Sequence, residues 1–62
     1  MGLNKILIKA AVDSDIKLLN FYLKKEADIN AKDNERHTAL MYAASYGHLD
    51  GVKLLIDKGA KY

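Results

Sequence analysis

Apolar residues recur along this chain at helical spacing in four short segments, each bounded by polar residues that end a helix or turn the backbone. Ile6, Leu7, Ala10 and Ala11 make the first apolar face, and Asn4 is placed to cap its N-terminus. Ile16, Leu19, Phe21, Tyr22 and Leu23 make the second, with Asp13 and Ser14 available as capping or turn residues before it. Thr38 starts a third helix carrying Leu40, Met41, Ala43 and Ala44, and Gly47 ends it as a left-handed cap. The fourth is predicted from about His48 to Lys58, with Leu49, Val52, Leu54, Leu55 and Ile56, and Gly59 stops it by the same mechanism. The intervening stretch from Ala27 to His37 is rich in Asp and Asn, which favour turns by bonding nearby backbone groups. The pattern reads helix–turn–helix, extended loop, helix–turn–helix.

The two halves of this pattern match each other at an offset of 33 residues. Leu7-Ile8-Lys9-Ala10-Ala11 aligns with Leu40-Met41-Tyr42-Ala43-Ala44, and Phe21-Tyr22-Leu23 with Leu54-Leu55-Ile56. Ile16 meets Leu49, Leu19 meets Val52, Lys25 meets Lys58 and Ala27 meets Ala60. A period of about 20 to 50 residues marks a stacked repeat array, and such arrays present extended binding surfaces. Alanine pairs on the first helix of each unit let a neighbouring helix approach closely.

These residues resemble the ankyrin repeat, whose period is about 33. The family pattern of Asp, two variable residues, Gly, one variable residue, Thr-Pro-Leu-His, a variable residue and Ala-Ala is met by Asp33-Asn34-Glu35-Arg36-His37-Thr38-Ala39-Leu40-Met41-Tyr42-Ala43-Ala44. Gly47-His48, Val52-Lys53-Leu54-Leu55-Ile56 and Gly59-Ala60 continue the match in the second unit, and Ala27-Asp28-Ile29-Asn30-Ala31 in the first. The resemblance implies an all-α ankyrin repeat solenoid of two helix-turn-helix units joined by a β-hairpin-like loop. Residues 1–62 form a single domain on this reading, with repeat 1 at about 1–33 and repeat 2 at about 34–62.

Four departures from the pattern each weaken a small array. Arg36 stands where the family usually has a glycine with a positive backbone angle, at a cost of about 1 kcal/mol unless Asn34 takes the left-handed role instead. Ala39 replaces a helix-starting proline, and Met41 replaces the histidine that would bond the threonine. Gly51 lies inside the fourth helix, where it costs about 1 kcal/mol against alanine.

Composition narrows the functions open to such a chain. Half of the residues are hydrophobic and 29% are charged, a globular balance rather than a disordered one. The formal net charge of +2 comes from interleaved acids and bases, so neither a nucleic acid nor an anionic membrane is expected as a partner. The apolar runs are too short to span a bilayer. No secretory or myristoylation signal is expected of Met1-Gly2-Leu3-Asn4-Lys5-Ile6. With no cysteine there is no disulfide and no thiolate, which suits a reducing compartment, and a cytoplasmic location is the expectation.

No residue set assembles a reactive centre. His37 and His48 fall on separate elements with too few further ligands for zinc. Ser14 and Ser45 have no motif joining them to a base, and two short helix pairs offer no enclosed pocket. Asp13-Ser14-Asp15 lacks the glycine and the distal bidentate Glu of a calcium loop. Lys24-Lys25 and Lys5-Lys9 read as solvated helix faces beside Glu26, Asp28 and Asp57. No enzyme activity, cofactor or metal is therefore expected.

Tyr42 and Tyr46 are the more informative pair, four residues apart and so on one helix face. Both stand where the resemblance implies variable positions turned toward a concave groove. By the same alignment Asn34, Glu35, His37 and Ser45 join them, with Asn4, Lys9, Val12 and Asp13 from the first unit. Two readings are open. The tyrosines are a stiff contact surface for a partner, or an aromatic pair packing on itself and the loop.

A repeat of this kind cannot bury its apolar face alone, and about three stacked units are the usual minimum. Neither end here reads as a polar cap, since Ile6, Leu7 and Ile8 crowd one and Leu54, Leu55 and Ile56 the other. A homo-oligomer, formed by stacking terminal faces or by swapping a unit, is expected. Two functions follow: a non-catalytic protein–protein interaction module with a protein partner, or a minimal, designed or excised repeat pair that assembles only with itself.

Overall fold

A computed structural model of the chain describes residues 2–61. It holds α1 (Leu3–Asp13), α2 (Ile16–Lys24), α3 (Ala39–Ser45) and α4 (Leu49–Asp57), with no strand among the described residues. α1 packs on α2 and α3 on α4, forming two helix pairs. The pairs join chiefly through α1 against α3, while α2 and α4 touch more sparsely.

Small residues occupy the buried faces of α1 and α3. Ala10, Ala11, Ala39 and Ala43 are all essentially inaccessible to solvent, and Leu7, Leu19 and Leu55 fill the space around them as fully buried side chains. Ile8, Leu40 and Ala60 complete the buried core, with Leu18, Tyr22, Leu23, Val52 and Leu54 packed at its margin. Gly51 continues the close approach on α4. A Cβ built there would lie 3.5 Å from the Ala43 Cβ, an ordinary van der Waals contact that leaves room for a methyl group.

Each helix end is built twice, once per unit, with different residues in the same conformation. Gly47 (φ 71°) ends α3 and Gly59 (φ 98°) follows α4, both left-handed as the sequence predicts. Their counterparts in the first unit are Ser14 (φ 56°) and Glu26 (φ 68°), which adopt the left-handed conformation without being glycine. The bonds that accompany these ends repeat as well. The Asp15 N–H donates to Ala10 O at 2.9 Å, as the His48 N–H does to Ala43 O at 2.9 Å. The Ala27 N–H donates to Tyr22 O at 3.2 Å, as the Ala60 N–H does to Leu55 O at 2.9 Å.

Helix starts depart from expectation at α1 and α2. α1 begins at Leu3 with Gly2 before it and no side-chain cap, so Asn4 lies inside the first turn and is not the N-cap. Its Oδ1 instead accepts from the Asp28 N–H at 2.7 Å, tying the start of α1 to the chain leaving α2. Asp15 caps α2 through the Leu18 N–H (3.2 Å), while Asp13 is the last residue of α1. Thr38 caps α3 as predicted, its Oγ1 accepting from the Met41 N–H at 3.2 Å.

The loop between the units narrows like a hairpin without becoming one. The Arg36 N–H donates to Asp33 O (2.9 Å) and the Asp33 N–H to His37 O (3.0 Å), and no ladder extends from this pair. Arg36 itself takes the left-handed angle at φ 67°, and Asn34 does not relieve it. The backbone bonds made by the surrounding residues hold Arg36 in that conformation despite its Cβ.

The two ends of the stack remain open and apolar. Ile8 is 9% exposed beneath the second unit, while its counterpart Met41 is 48% exposed. Ala11 is buried and its counterpart Ala44 is exposed. At the other end Ile6 is exposed where its counterpart Ala39 is fully buried. Each unit thus covers one face of its neighbour and leaves the equivalent face of its own uncovered.

Two substitutions test this account of the backbone. Gly51→Ala adds a methyl in space already available and is expected to stabilise the chain by about 0.5–1 kcal/mol. Glu26→Gly, made where φ is positive, is expected to stabilise by up to about 1 kcal/mol. Urea denaturation followed by circular dichroism measures both, and a lower midpoint for either variant contradicts the packing or the strain argued for that position.

Candidate binding surface

One carboxylate organises the exposed turn ahead of α3. Asp33 Oδ1 accepts from the Glu35 N–H and the His37 N–H, each at 2.9 Å, and Asp33 Oδ2 accepts from the Tyr42 hydroxyl. The turn is therefore fastened to itself through two backbone donors and to α3 through a side chain. The Tyr42 bond, followed by the His37 backbone donor, holds the Asp33 carboxyl below the usual carboxylate range. The same bond, aided by desolvation, pushes the Tyr42 phenol up to about 12.

Aromatic rings run from this turn along α3. His37 meets Tyr42 edge-on at 5.3 Å between centroids, Tyr42 and Tyr46 stack at 6.5 Å with planes 17° apart, and Tyr46 leans on His48 at 5.7 Å. The His48 Nε2 lies 3.0 Å from Val12 O, so the ring bridges the second unit to the end of α1. Tyr42 thus packs on the turn and on its neighbour, whereas Tyr46 is 56% exposed.

Beside this row an open hollow of about 470 Å³ lies between α1 and the turn. Asn4, Lys5, Ile8, Lys9 and Val12 supply one helix face, Lys32, Asp33 and Asn34 the opposing chain, and Tyr42 a third side. A second, smaller hollow is lined by His37, Met41, Tyr42 and Ser45, so Tyr42 belongs to both. Lys9 pairs with Asp13 across one helical turn, Nζ to Oδ2 3.1 Å, with both side chains more than half exposed.

The residues singled out from sequence therefore distribute as follows. Asn4, Lys9, Val12, Asn34 and Tyr42 share the larger hollow, while His37, Tyr42 and Ser45 share the smaller one. Tyr46 extends the aromatic row, Asp13 stands behind Lys9, and Glu35 sits exposed on the turn. Sequence reasoning did not place Lys5, Ile8, Lys32 or Asp33 in the contact set, reading Lys5 with Lys9 as a solvated helix face. Lys5 and Ile8 were within its reach, since they share a helix face with Lys9 and Val12 at spacings of three and four. Lys32 and Asp33 were not, because their place depends on the loop folding back across α1.

Asp33, Glu35 and His37 also bring one potential metal-ligating atom each to within 4.8 Å of one another. Both Asp33 oxygens already accept hydrogen bonds within the turn, so binding a cation through them means competing with the bonds that shape the loop.

Comparison with known proteins matches residues 2–62 to the family model described as ankyrin repeats in three copies, where the described residues hold two helix pairs. The chain is 39% identical over 60 residues to a transient receptor potential cation channel subfamily A member 1 homolog of Caenorhabditis elegans, covering 95% of this chain and 5% of that protein. It is 39% identical over 51 residues to the mitochondrial liver isoform of glutaminase of Rattus norvegicus, covering 82% of this chain and 8% of that one. It is 38% identical over 61 residues to cortactin-binding protein 2 of Mus musculus, covering 97% and 4%. The chain thus spans a small part of each of these relatives.

The Asp33–Tyr42 bond has a pH signature at both ends of the scale. Asp33, with its folded value lowered, contributes stability that is full above about 3.9 and is lost as pH falls through that lower value. Tyr42, with its folded value raised, contributes stability that is full below about 10 and is lost as pH climbs toward about 12. Tyrosinate absorbance should show one phenol titrating near about 12 in the folded chain. Asp33→Asn should return it toward about 10, and an unchanged late-titrating phenol in that variant refutes the link.

Proposed function

This chain belongs to the ankyrin repeat family, and on that premise we propose that it is a non-catalytic protein-binding module whose partner lies along the aromatic row and the hollow beside it. Ankyrin repeats are protein–protein interaction modules, and the family is typically non-catalytic. The contact set is Asn34, Glu35, His37, Tyr42, Ser45 and Tyr46, with Asn4, Lys9, Val12 and Asp13 from the first unit. The observation that carries this reading is the half-exposed Tyr46, stacked on a Tyr42 that is itself fastened to the turn. A tyrosine held in one orientation presents broad amphipathic area at little entropic cost on binding. The relatives support a modular role, since a channel, a glutaminase and a cortactin-binding protein share this span while their names describe different activities. A cytoplasmic setting is part of the proposal, in keeping with a sequence free of cysteine.

A second reading, self-association, rests on the two open ends. Met41 and Ile56 on one side, and Ile6 on the other, are exposed apolar side chains at positions where a further unit would pack. On this reading the chain stacks its ends or swaps a unit, and an assembly element with no partner but itself is the extreme form of it.

Tyr46→Ala, rather than a change at Tyr42, separates the two readings. Tyr42 shapes the turn, so removing it disturbs more than a contact, whereas Tyr46→Ala deletes an exposed ring. Peptides selected from a displayed library against the immobilised chain should be released by Tyr46→Ala with no change in melting midpoint. Peptides insensitive to Tyr46→Ala and His37→Ala alike refute the binding reading. For self-association, the melting midpoint should fall over roughly a hundredfold dilution, and Met41→Glu should remove that dependence. A monomer mass in the ultracentrifuge with a midpoint indifferent to concentration refutes it.

A further inference from the structure

We propose that the hollow between α1 and the turn selects an acidic peptide segment carrying one apolar anchor residue. This rests on the concave-face reading above and adds the chemistry of the partner. The lining includes three lysines, Lys5 and Lys9 from α1 and Lys32 from the facing segment. Among the described residues the single ion pair is Lys9–Asp13, so Lys5 and Lys32 stand without a carboxylate partner on opposite sides of the opening. The one acid in the lining, Asp33, has both oxygens occupied by hydrogen bonds from within the protein. The same lining is apolar at Ile8, Val12 and the ring of Tyr42. A carboxylate on either side of a buried aliphatic side chain satisfies all three features together.

An extended polyanion fits the same surface less well. A nucleic acid needs a continuous basic stripe to track its phosphates. Here the three lysines of the hollow are interrupted by Asp13 at one edge and by Glu35 on the neighbouring turn. Past Tyr42 the furrow continues into the smaller hollow, whose His37, Met41 and Ser45 bring no acid or lysine. The charge pattern is that of a short acidic segment continued by an uncharged one.

The test uses short synthetic peptides with one central leucine flanked by aspartates and glutamates, and the chain labelled for nuclear magnetic resonance. Binding should shift the amides of Lys5, Ile8, Val12 and Lys32 and weaken as salt is raised. Lys5→Glu combined with Lys32→Glu should weaken it about tenfold or more, with the circular dichroism spectrum unchanged. Replacing the leucine of the peptide with serine should weaken it as well. Equal binding of a lysine-flanked peptide at the same amides overturns the acidic preference and leaves the broader binding reading standing. Heparin binding there as well as the peptide, with the leucine dispensable, overturns the proposal in favour of a general polyanion site. If no peptide of any charge shifts these amides or those around Tyr46, the concave-face reading falls along with it.

Discussion

The close packing of the four helices rests on methyl groups. Ala10 and Ala11 on α1 and Ala39 and Ala43 on α3 are all sealed from solvent, and the Ala43 Cβ lies 3.5 Å from where a Cβ on Gly51 of α4 would stand. Alanine contributes little apolar area by itself, so the stability of the core comes more from Leu7, Leu19 and Leu55, which close packing allows to be fully buried. A larger residue at any of the four positions acts as a wedge, because interiors at this density absorb added volume only by shifting backbone. The wedge would reach the surface at once. Ile8 and Val12 line the hollow from the same helix that carries the alanines, and Tyr42 faces them from the partner helix.

Outside the helices, order comes from short polar side chains bonded to backbone. Asp28 Oδ1 accepts from the Asn30 N–H (3.0 Å), Asn30 Oδ1 from the Lys61 N–H (2.9 Å) and Asn4 Oδ1 from the Asp28 N–H, while Asp33 gathers the turn. These bonds take the place that a strand ladder fills in a true hairpin. They fix loop shape without burying apolar surface, which suits segments that must stay at the surface and yet present a defined outline.

The helices were legible in the sequence because apolar period, a threonine cap and two terminal glycines all pointed the same way at Thr38, Gly47 and Gly59. Arg36 was legible through the family glycine it replaces, whereas Ser14 and Glu26 were not, since nothing in a serine or a glutamate announces a left-handed backbone. That information lies in the repeat register, which aligns Ser14 with Gly47 and Glu26 with Gly59. Asn4 misled for a related reason. Its residue type suits a cap, but its partner lies 24 positions away at Asp28 and wins because the chain leaving α2 passes over the start of α1. At the surface, the tyrosine pair could be read from its spacing. The hollow required the fold, since Lys32 and Asn34 reach α1 only after the loop has turned back.

Met41 and Ala44 lie uncovered at one end of the stack and Ile6 at the other, and these are two different surfaces. A copy that docks in the manner of the internal α1/α3 contact covers one kind of end with the other, and the pair then shows the same two ends again. Growth of that sort is directional and has no closing step, so it yields filaments of indefinite length. Only a contact of one end with its own twin, related by a two-fold axis, stops at two. The register of one methionine over one isoleucine therefore separates a finite particle from a fibre.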